Sequence, residues 1–272
     1  MSEMRARWDA ASEGWRRWWP RIQAFSQPVS DRLVVMAALE PGHRVLDVAS
    51  GAGEPALTAA RVVGPSGHVV ATDLSPAMLA GARERAREEG LTNVETREAD
   101  AETLDVQGPF DAVLCRWGLM IVADIDRAFR RMHELLVPGG RVAFAVWRRN
   151  EQFEITRAAA DRVVFDLPPA PVDPLRFADP QPLLDALHAA GFGGIETDDV
   201  PTEGVYESAE DYVEFALGIS SALRAALAER PGAEPDLRAA MVEEARNHPA
   251  DGGGIRIRGV SICIGARTEG AG

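Results

Sequence analysis

Between Leu46 and Ala56 the chain reads LDVASGAGEPA, apolar residues that run into a glycine turn and out into an alanine-rich segment. That profile predicts a strand, a tight loop and a helix. A glycine loop at the carboxyl end of a first strand can cradle a pyrophosphate, a phosphate or a nucleoside without phosphate. Asp73 closes the second apolar run twenty residues beyond Gly53, where a carboxylate can accept hydrogen bonds from both ribose hydroxyls. A nucleoside is implied, whichever cofactor carries it.

Three residues turn the reading away from a dinucleotide. Ala56 replaces the third glycine of the pyrophosphate fingerprint. Glu54, where the helix begins, would repel phosphates and suits a cationic ligand. Asp100, in READAETL just past the third apolar run, offers an acceptor for an exocyclic amine such as that of adenine. Asp47, at the end of the first run, is placed to order the loop amides.

The elements that would position these residues alternate. Short β-branched runs at 44–49, 69–73, 94–98, 110–115 and 140–147 are separated by helical segments near 55–63, 76–89 and 124–137, which predicts a parallel α/β sheet. Ser75-Pro76 supplies a cap and a preset first turn, and Pro138-Gly139-Gly140 stops the third of these helices. A Trp-rich helix and an amphipathic stretch, Ser30 to Leu39, come before the first strand. After Trp147 come a helix near 152–165, the proline-rich turn LPPAPVDPLRF, a helix at 180–190 and a strand at 194–200. About fifty helix-prone residues then lead to a closing strand, GIRIRGVSICIGAR. The expected division is a helical cap (1–40), a cofactor-binding core (41–200), a helical lid (201–254) and the last core strand with the tail (255–272).

Composition narrows the function classes. Acidic residues outnumber basic ones by 42 to 29, and a net charge of −13 without a basic patch argues against a nucleic-acid or anionic-membrane partner. Cys115 and Cys263 each lie inside an apolar run, which suits a reducing cytoplasm. No metal-ligand cluster and no apolar run of membrane-spanning length emerges.

In order, VLDVASGAGEPAL, VVATDLSPAML, READAETL, FDAVLCRWGLM and LLVPGGRVAFAVW resemble the successive motifs of class I S-adenosylmethionine-dependent methyltransferases over residues 44 to 147. The resemblance implies a Rossmann-like, doubly wound seven-stranded sheet of order 3-2-1-4-5-7-6 with an antiparallel last strand. It also implies the cofactor's contacts: Gly51 and Gly53 beside the methionine portion, Asp73 on the ribose, Met78 on the adenine face, and Asp100 with the Ala101 amide on the adenine edge. Ala49, Leu74 and Cys115 complete that set. Met78 fits a core methionine equally well, and Cys115 a small buried hydrophobe.

Cys115-Arg116-Trp117-Gly118 lacks the Asn/Asp-Pro-Pro-aromatic motif of enzymes that methylate exocyclic amines of DNA. The chain is instead similar to small-molecule methyltransferases, a group that includes the quinone C-methyltransferases. Gly53-Glu54-Pro55 and Leu74-Ser75 depart from the quinone enzymes. The expected reaction is in-line methyl transfer to carbon or oxygen of a largely apolar acceptor, leaving S-adenosylhomocysteine. An S-adenosylmethionine-binding cyclase and, further off, a nicotinamide oxidoreductase are the alternatives.

Trp15, Trp19, Arg116 and Trp117 are the candidate acceptor-pocket residues, since aromatic walls suit a flat or greasy molecule and exclude water. Of five histidines only His248, in RNHPADGGG, lies on a connection that opens above the cofactor, which makes it the candidate general base.

Overall fold

A computed structural model of the chain describes residues 2–163 and 173–269. Its strands are β1 (Arg44–Val48), β2 (His68–Asp73), β3 (Val94–Glu98), β4 (Phe110–Arg116), β5 (Leu136–Asn150), β6 (Phe192–Tyr206) and β7 (Ile255–Thr268). They form one sheet of order β3-β2-β1-β4-β5-β7-β6, with β7 antiparallel to both of its neighbours. This is the order and the hand of the last strand that the motifs implied.

Helices cover both faces, so strand residues are buried on alternate sides. Val45, Val69, Ala71, Leu114 and Ala143 pack with Val29 and Leu33 of α2 (Trp19–Met36) and Ala59 and Val63 of α3 (Ala56–Val63). On the other face Leu46, Val70, Val113 and Phe144 meet Phe129 and Met132 of α5 (Ile125–Leu135) and Leu183 and Leu187 of α7 (Gln181–Ala189). The Ser75 hydroxyl accepts from the Met78 amide at 3.1 Å and caps α4 (Pro76–Glu88), with Pro76 in the first turn.

Three boundaries differ from the expectation. The stretch expected at 30–39 is the second half of α2, which carries Pro20 in its first turn and Pro28 inside it. Buried Ile22, Ser26, Val29, Ser30 and Leu33 hold that helix together where proline removes a backbone donor. The fifth strand runs on to Asn150, whose side chain accepts from the Gln152 amide and caps α6 (Glu151–Arg162). The sixth continues past 200 to Tyr206, paired with β7 as far as Tyr206↔Ile255, so the start of the expected lid belongs to a two-stranded arm. Residues 164–165 of the expected helix and the first part of the proline-rich turn lie outside the described residues.

The arm carries α8 (Ala209–Ile219), α9 (Ser221–Glu229) and α10 (Glu234–Ala245). Gly252, Gly253 and Gly254 return the chain to β7 with φ of 89°, 105° and 80°, a region only glycine enters freely. The amino-terminal helix α1 (Ser2–Arg17) lies across the carboxyl end of the sheet and touches α8 backbone to backbone. A Cβ at Gly14 would fall 1.8 Å from the Gly218 carbonyl oxygen. Gly14→Ala is therefore expected to lift α1 from α8, costing about 1–3 kcal/mol as other forced overpacking does. Faster amide exchange in residues 2–17 together with a lower Tm checks it.

Candidate functional site

The loops that follow β1, β2, β3 and β4 are neighbours at the carboxyl edge of the sheet. Ala49 and Gly51 both sit at φ 55° and Gly53 at 126°, which folds the loop tightly under its own amides. The Gly51 amide donates to Asp73 Oδ2 at 2.9 Å, and the Ser75 amide to Asp73 Oδ1 at 2.8 Å. The Ala99 amide donates to the Asp73 carbonyl at 3.1 Å, which sets the Asp100 turn, closed by the Glu102 amide on Asp100 Oδ1 at 2.8 Å. After β4, Trp117 turns left-handed at φ 61°, and a Cβ at Gly118 would lie 2.5 Å from Ala49 Cβ and 2.8 Å from Cys115 Sγ. The structure thus brings Ala49, Gly51, Asp73, Asp100 and Cys115 to one edge, with Leu74 and Ala101 half-buried on the same loops. Burial pushes the Cys115 thiol up to about 12, so it stays protonated and packs as a small apolar group.

Beneath the loop lies a buried charge cluster. Asp47, Glu54 and Asp73 are all buried, and desolvation raises the pKa of each. Asp47 Oδ2 accepts from the Ala56 amide at 2.9 Å, and Glu54 Oε2 from the Thr58 hydroxyl at 2.6 Å. Asp47 Oδ1, Glu54 Oε1 and Ser50 Oγ accept no hydrogen bond among the described residues, although Arg61 stands 3.6 Å from Glu54 Oε1. Acceptors buried beside a glycine loop call for an incoming N–H donor or positive charge. The ammonium and sulfonium of S-adenosylmethionine fit that requirement, and a phosphate does not. Asp73 keeps lone pairs for ribose hydroxyls after its two amide bonds.

Arg116 belongs to this cluster rather than to an acceptor pocket. Its guanidinium is buried, donating to Ser26 Oγ at 2.9 Å and Ser30 Oγ at 2.6 Å from α2, and its charge favours ionisation of Asp47 and Glu54. Trp15 packs with Phe25 against the cluster of α8 and the arm, and both Trp15 and Trp19 pack against the glycine loop and α4. With Trp8 they surround Ala11, Ala52 and Met78, so α1 covers the cofactor loops. Trp15 Nε1 donates to the Ile219 carbonyl at 3.0 Å, Arg85 lies 3.9 Å over the Trp19 ring, and Ser75 Oγ donates to Asp9 Oδ1 at 2.6 Å. Trp117 stands apart from them, stacked 4.3 Å from Trp147 with its Nε1 on Ser261 Oγ at 2.9 Å.

His248 sits at the foot of the lid with Nδ1 3.3 Å from Glu151 Oε2, and the same oxygen accepts from the Arg258 amide at 2.6 Å. Among the described residues no hydrogen bond or ion pair joins His248 to the loops after β1, β2 or β4. Glu151, Ser26, Ser30 and Phe25 escaped the sequence reading. Glu151 was the findable one, because it directly follows the carboxyl end of a core strand, where ligand-facing groups collect. Among the described residues no group of three or more His, Cys, Asp or Glu is placed to hold a metal ion, and no helix is long and apolar enough to cross a membrane.

Comparison with known proteins places this geometry. A family described as a methyltransferase domain matches residues 39–165. The ubiquinone/menaquinone biosynthesis C-methyltransferase UbiE of Ectopseudomonas oleovorans is 37% identical over 135 residues, 49% of this chain and 74% of that protein. The enzyme of the same description from Pseudomonas putida (strain GB-1) is 37% identical over 152 residues, 55% of this chain and 56% of that one. The chain thus spans about half the length of the Pseudomonas putida relatives. Among solved structures, the YcgJ protein of Bacillus subtilis aligns with a TM-score of 0.59 at 18% identity, over 89% of this chain and 98% of that chain, a likeness of fold. The [4+2]-cyclase SpnF aligns with a TM-score of 0.56 at 26% identity, covering 89% and 81%.

Two outcomes follow from the loop. Asp73→Ala is expected to fold and to bind S-adenosylhomocysteine roughly ten- to a hundredfold more weakly by calorimetry, the worth of a charged acceptor on neutral hydroxyls. For Asp47, a folded pKa above the ordinary value means that the native state holds the proton longer than the unfolded chain does. Its contribution is most favourable at acid pH and is lost as pH rises toward the folded pKa. Measured without cofactor, the stability of wild type relative to Asp47→Asn should fall as pH rises from about 4.

Proposed function

The chain belongs to the class I S-adenosylmethionine-dependent methyltransferases, and from that premise we propose that it moves the methyl group of its cofactor to a small, largely apolar acceptor. The observation that carries this reading is the set of buried acceptors without a hydrogen bond, Asp47 Oδ1, Ser50 Oγ and Glu54 Oε1, gathered on one glycine loop. They suit a cationic cofactor over a dinucleotide, which disfavours the nicotinamide oxidoreductase.

When bound, the cofactor supplies an electrophilic methyl group on a sulfonium. The chain's own residues bind, orient and exclude water. Asp73 takes the ribose, the Asp100 turn takes the adenine edge, and the buried carboxylates below the loop hold the cationic end. The helix α1 closes over Met78 and Ser75 and keeps the site dry. Orientation of this kind is worth up to roughly 7–11 kcal/mol in well-aligned intramolecular reactions, so positioning can carry most of the catalysis. A cyclase reading draws on a structure 26% identical, against 37% for the C-methyltransferases, and is not favoured. The C-methyltransferase activity in the names of those relatives makes a carbon nucleophile, activated as in an aromatic ring, the first acceptor class to assay.

His248 is the proposed base. Glu151, at the first position of α6, takes the Nδ1–H of the imidazole, which leaves Nε2 as the nitrogen free to accept a proton. Transfer of labelled methyl from S-adenosylmethionine to a panel of phenolic, enolic and carboxylate acceptors tests the reaction. With an accepted substrate, His248→Ala should keep cofactor affinity and lose roughly 10²–10⁴-fold in turnover. Turnover within a few-fold of wild type would remove the base and leave positioning alone.

A further inference from the structure

Arg116 brings a guanidinium into the interior beside two acids with which it forms no ion pair. In the β1–β4 register Asp47 stands opposite Leu114, so Arg116, two residues further along β4, shares its face of the sheet on the diagonal, within the span of a long side chain. The guanidinium is held from the other side by α2, where Ser26 and Ser30, one helical turn apart and fully buried, both accept from Nη1. The Trp117 ring lies 5.0 Å from it. These partners are neutral, and among the described residues no ion pair joins Arg116 to Asp47 or Glu54. Its positive charge reaches the two carboxylates across a gap and favours the ionised form of both.

The other groups around the acids do not replace it. From α3, the Thr58 hydroxyl donates to Glu54 Oε2, and Arg61, 3.6 Å from Glu54 Oε1, is partly exposed and shared with Glu89 at 2.6 Å. From the end of β2, Asp73 adds negative charge beside Asp47 and is itself faced by Asp9 of α1. Cys115, also near Asp47, keeps its proton. Asp47 Oδ1 and Glu54 Oε1 accept no hydrogen bond in this arrangement. Two buried carboxylates against one buried cation leave one negative charge over, beside the glycine loop.

We propose that Arg116 is a positioning residue for the cofactor, one that readies Asp47 and Glu54 as carboxylates before the cofactor's cationic end arrives and that acts through them. The assignment rests on the methyl-transfer reading of the glycine loop. Burial works against Arg116 by raising the pKa of both acids, so that a proton competes with the cofactor for the same negative charge. As pH falls the acids take up that proton, and affinity for the cofactor falls with them. A nearby cation lowers the pH at which this begins, and its removal raises it. The two serines give α2 a share in cofactor binding, because they fix where that cation stands.

S-adenosylhomocysteine keeps the ammonium of the cofactor, and calorimetry reads its affinity for the full chain as a function of pH. Arg116→Gln removes the charge and retains an N–H for the serines. Between about pH 7.5 and about pH 5.5 it is expected to lose at least about tenfold more affinity than wild type does, as one further linked proton requires. Where Arg116→Gln does not fold, the comparison moves to Glu54→Gln with and without Arg116→Gln, neither of which buries more negative charge than wild type. The chain with both substitutions should then be the more acid-sensitive, through Asp47. In either comparison a loss of affinity that is the same at every pH marks a packing role and overturns the proposal, as does an unchanged affinity. Wild-type protein that binds no S-adenosylhomocysteine at any pH strikes the methyl-transfer reading instead.

Discussion

Three carboxylates drawn out of water at the carboxyl ends of β1 and β2 set the terms for everything around them. Taking an ion into a protein interior costs several kcal/mol, and the cost is met only by opposite charge and well-made hydrogen bonds. Asp73 is met by two loop amides, Asp47 by the Ala56 amide and the Arg116 charge, and Glu54 by Thr58, Arg116 and Arg61. The guanidinium must itself be held, which explains why α2 turns Ser26 and Ser30 inward among apolar neighbours. Acceptor capacity is left over. It lies beside the glycine loop, where a cationic cofactor is the partner proposed to use it.

Geometry at the sheet edge follows from the same crowding. Loops after β1 and β4 approach until only glycine fits at 118, and Ala49 and Trp117 both take left-handed backbone conformations to make the approach. Such strain is kept where the surrounding structure overdetermines it, and it collects at ligand sites. The left-handed turn at Trp117 accompanies the ring's alignment with Trp147 and its indole bond to Ser261. One backbone constraint thus serves the cofactor loop and the aromatic stack together.

How much of this could be read from the sequence depends on the range of each interaction. The glycine turn, the strand end at Asp73 and the Ser75-Pro76 cap are local patterns, and these elements form where the sequence put them. Strand order came with the motif resemblance, since periodicity alone does not say which strands are neighbours. The fate of Arg116 was hidden because its partners lie eighty-six and ninety residues away on a helix of which only the second half was expected. Trp15 belongs to α1 and Trp19 opens α2, and the surface they both pack against was a tertiary fact. The stacked rings of Phe25, Trp117 and Trp147 come from three distant segments, and no local rule joins them.

The meeting of Gly14 with Gly218 has a mechanical meaning. Through it α1, which roofs the cofactor loops, leans on α8, which hangs from the arm. Two covers that bear on each other at backbone distance do not travel independently. A substitution that lifts α1 from the glycine loop is therefore expected to disturb α8 as well.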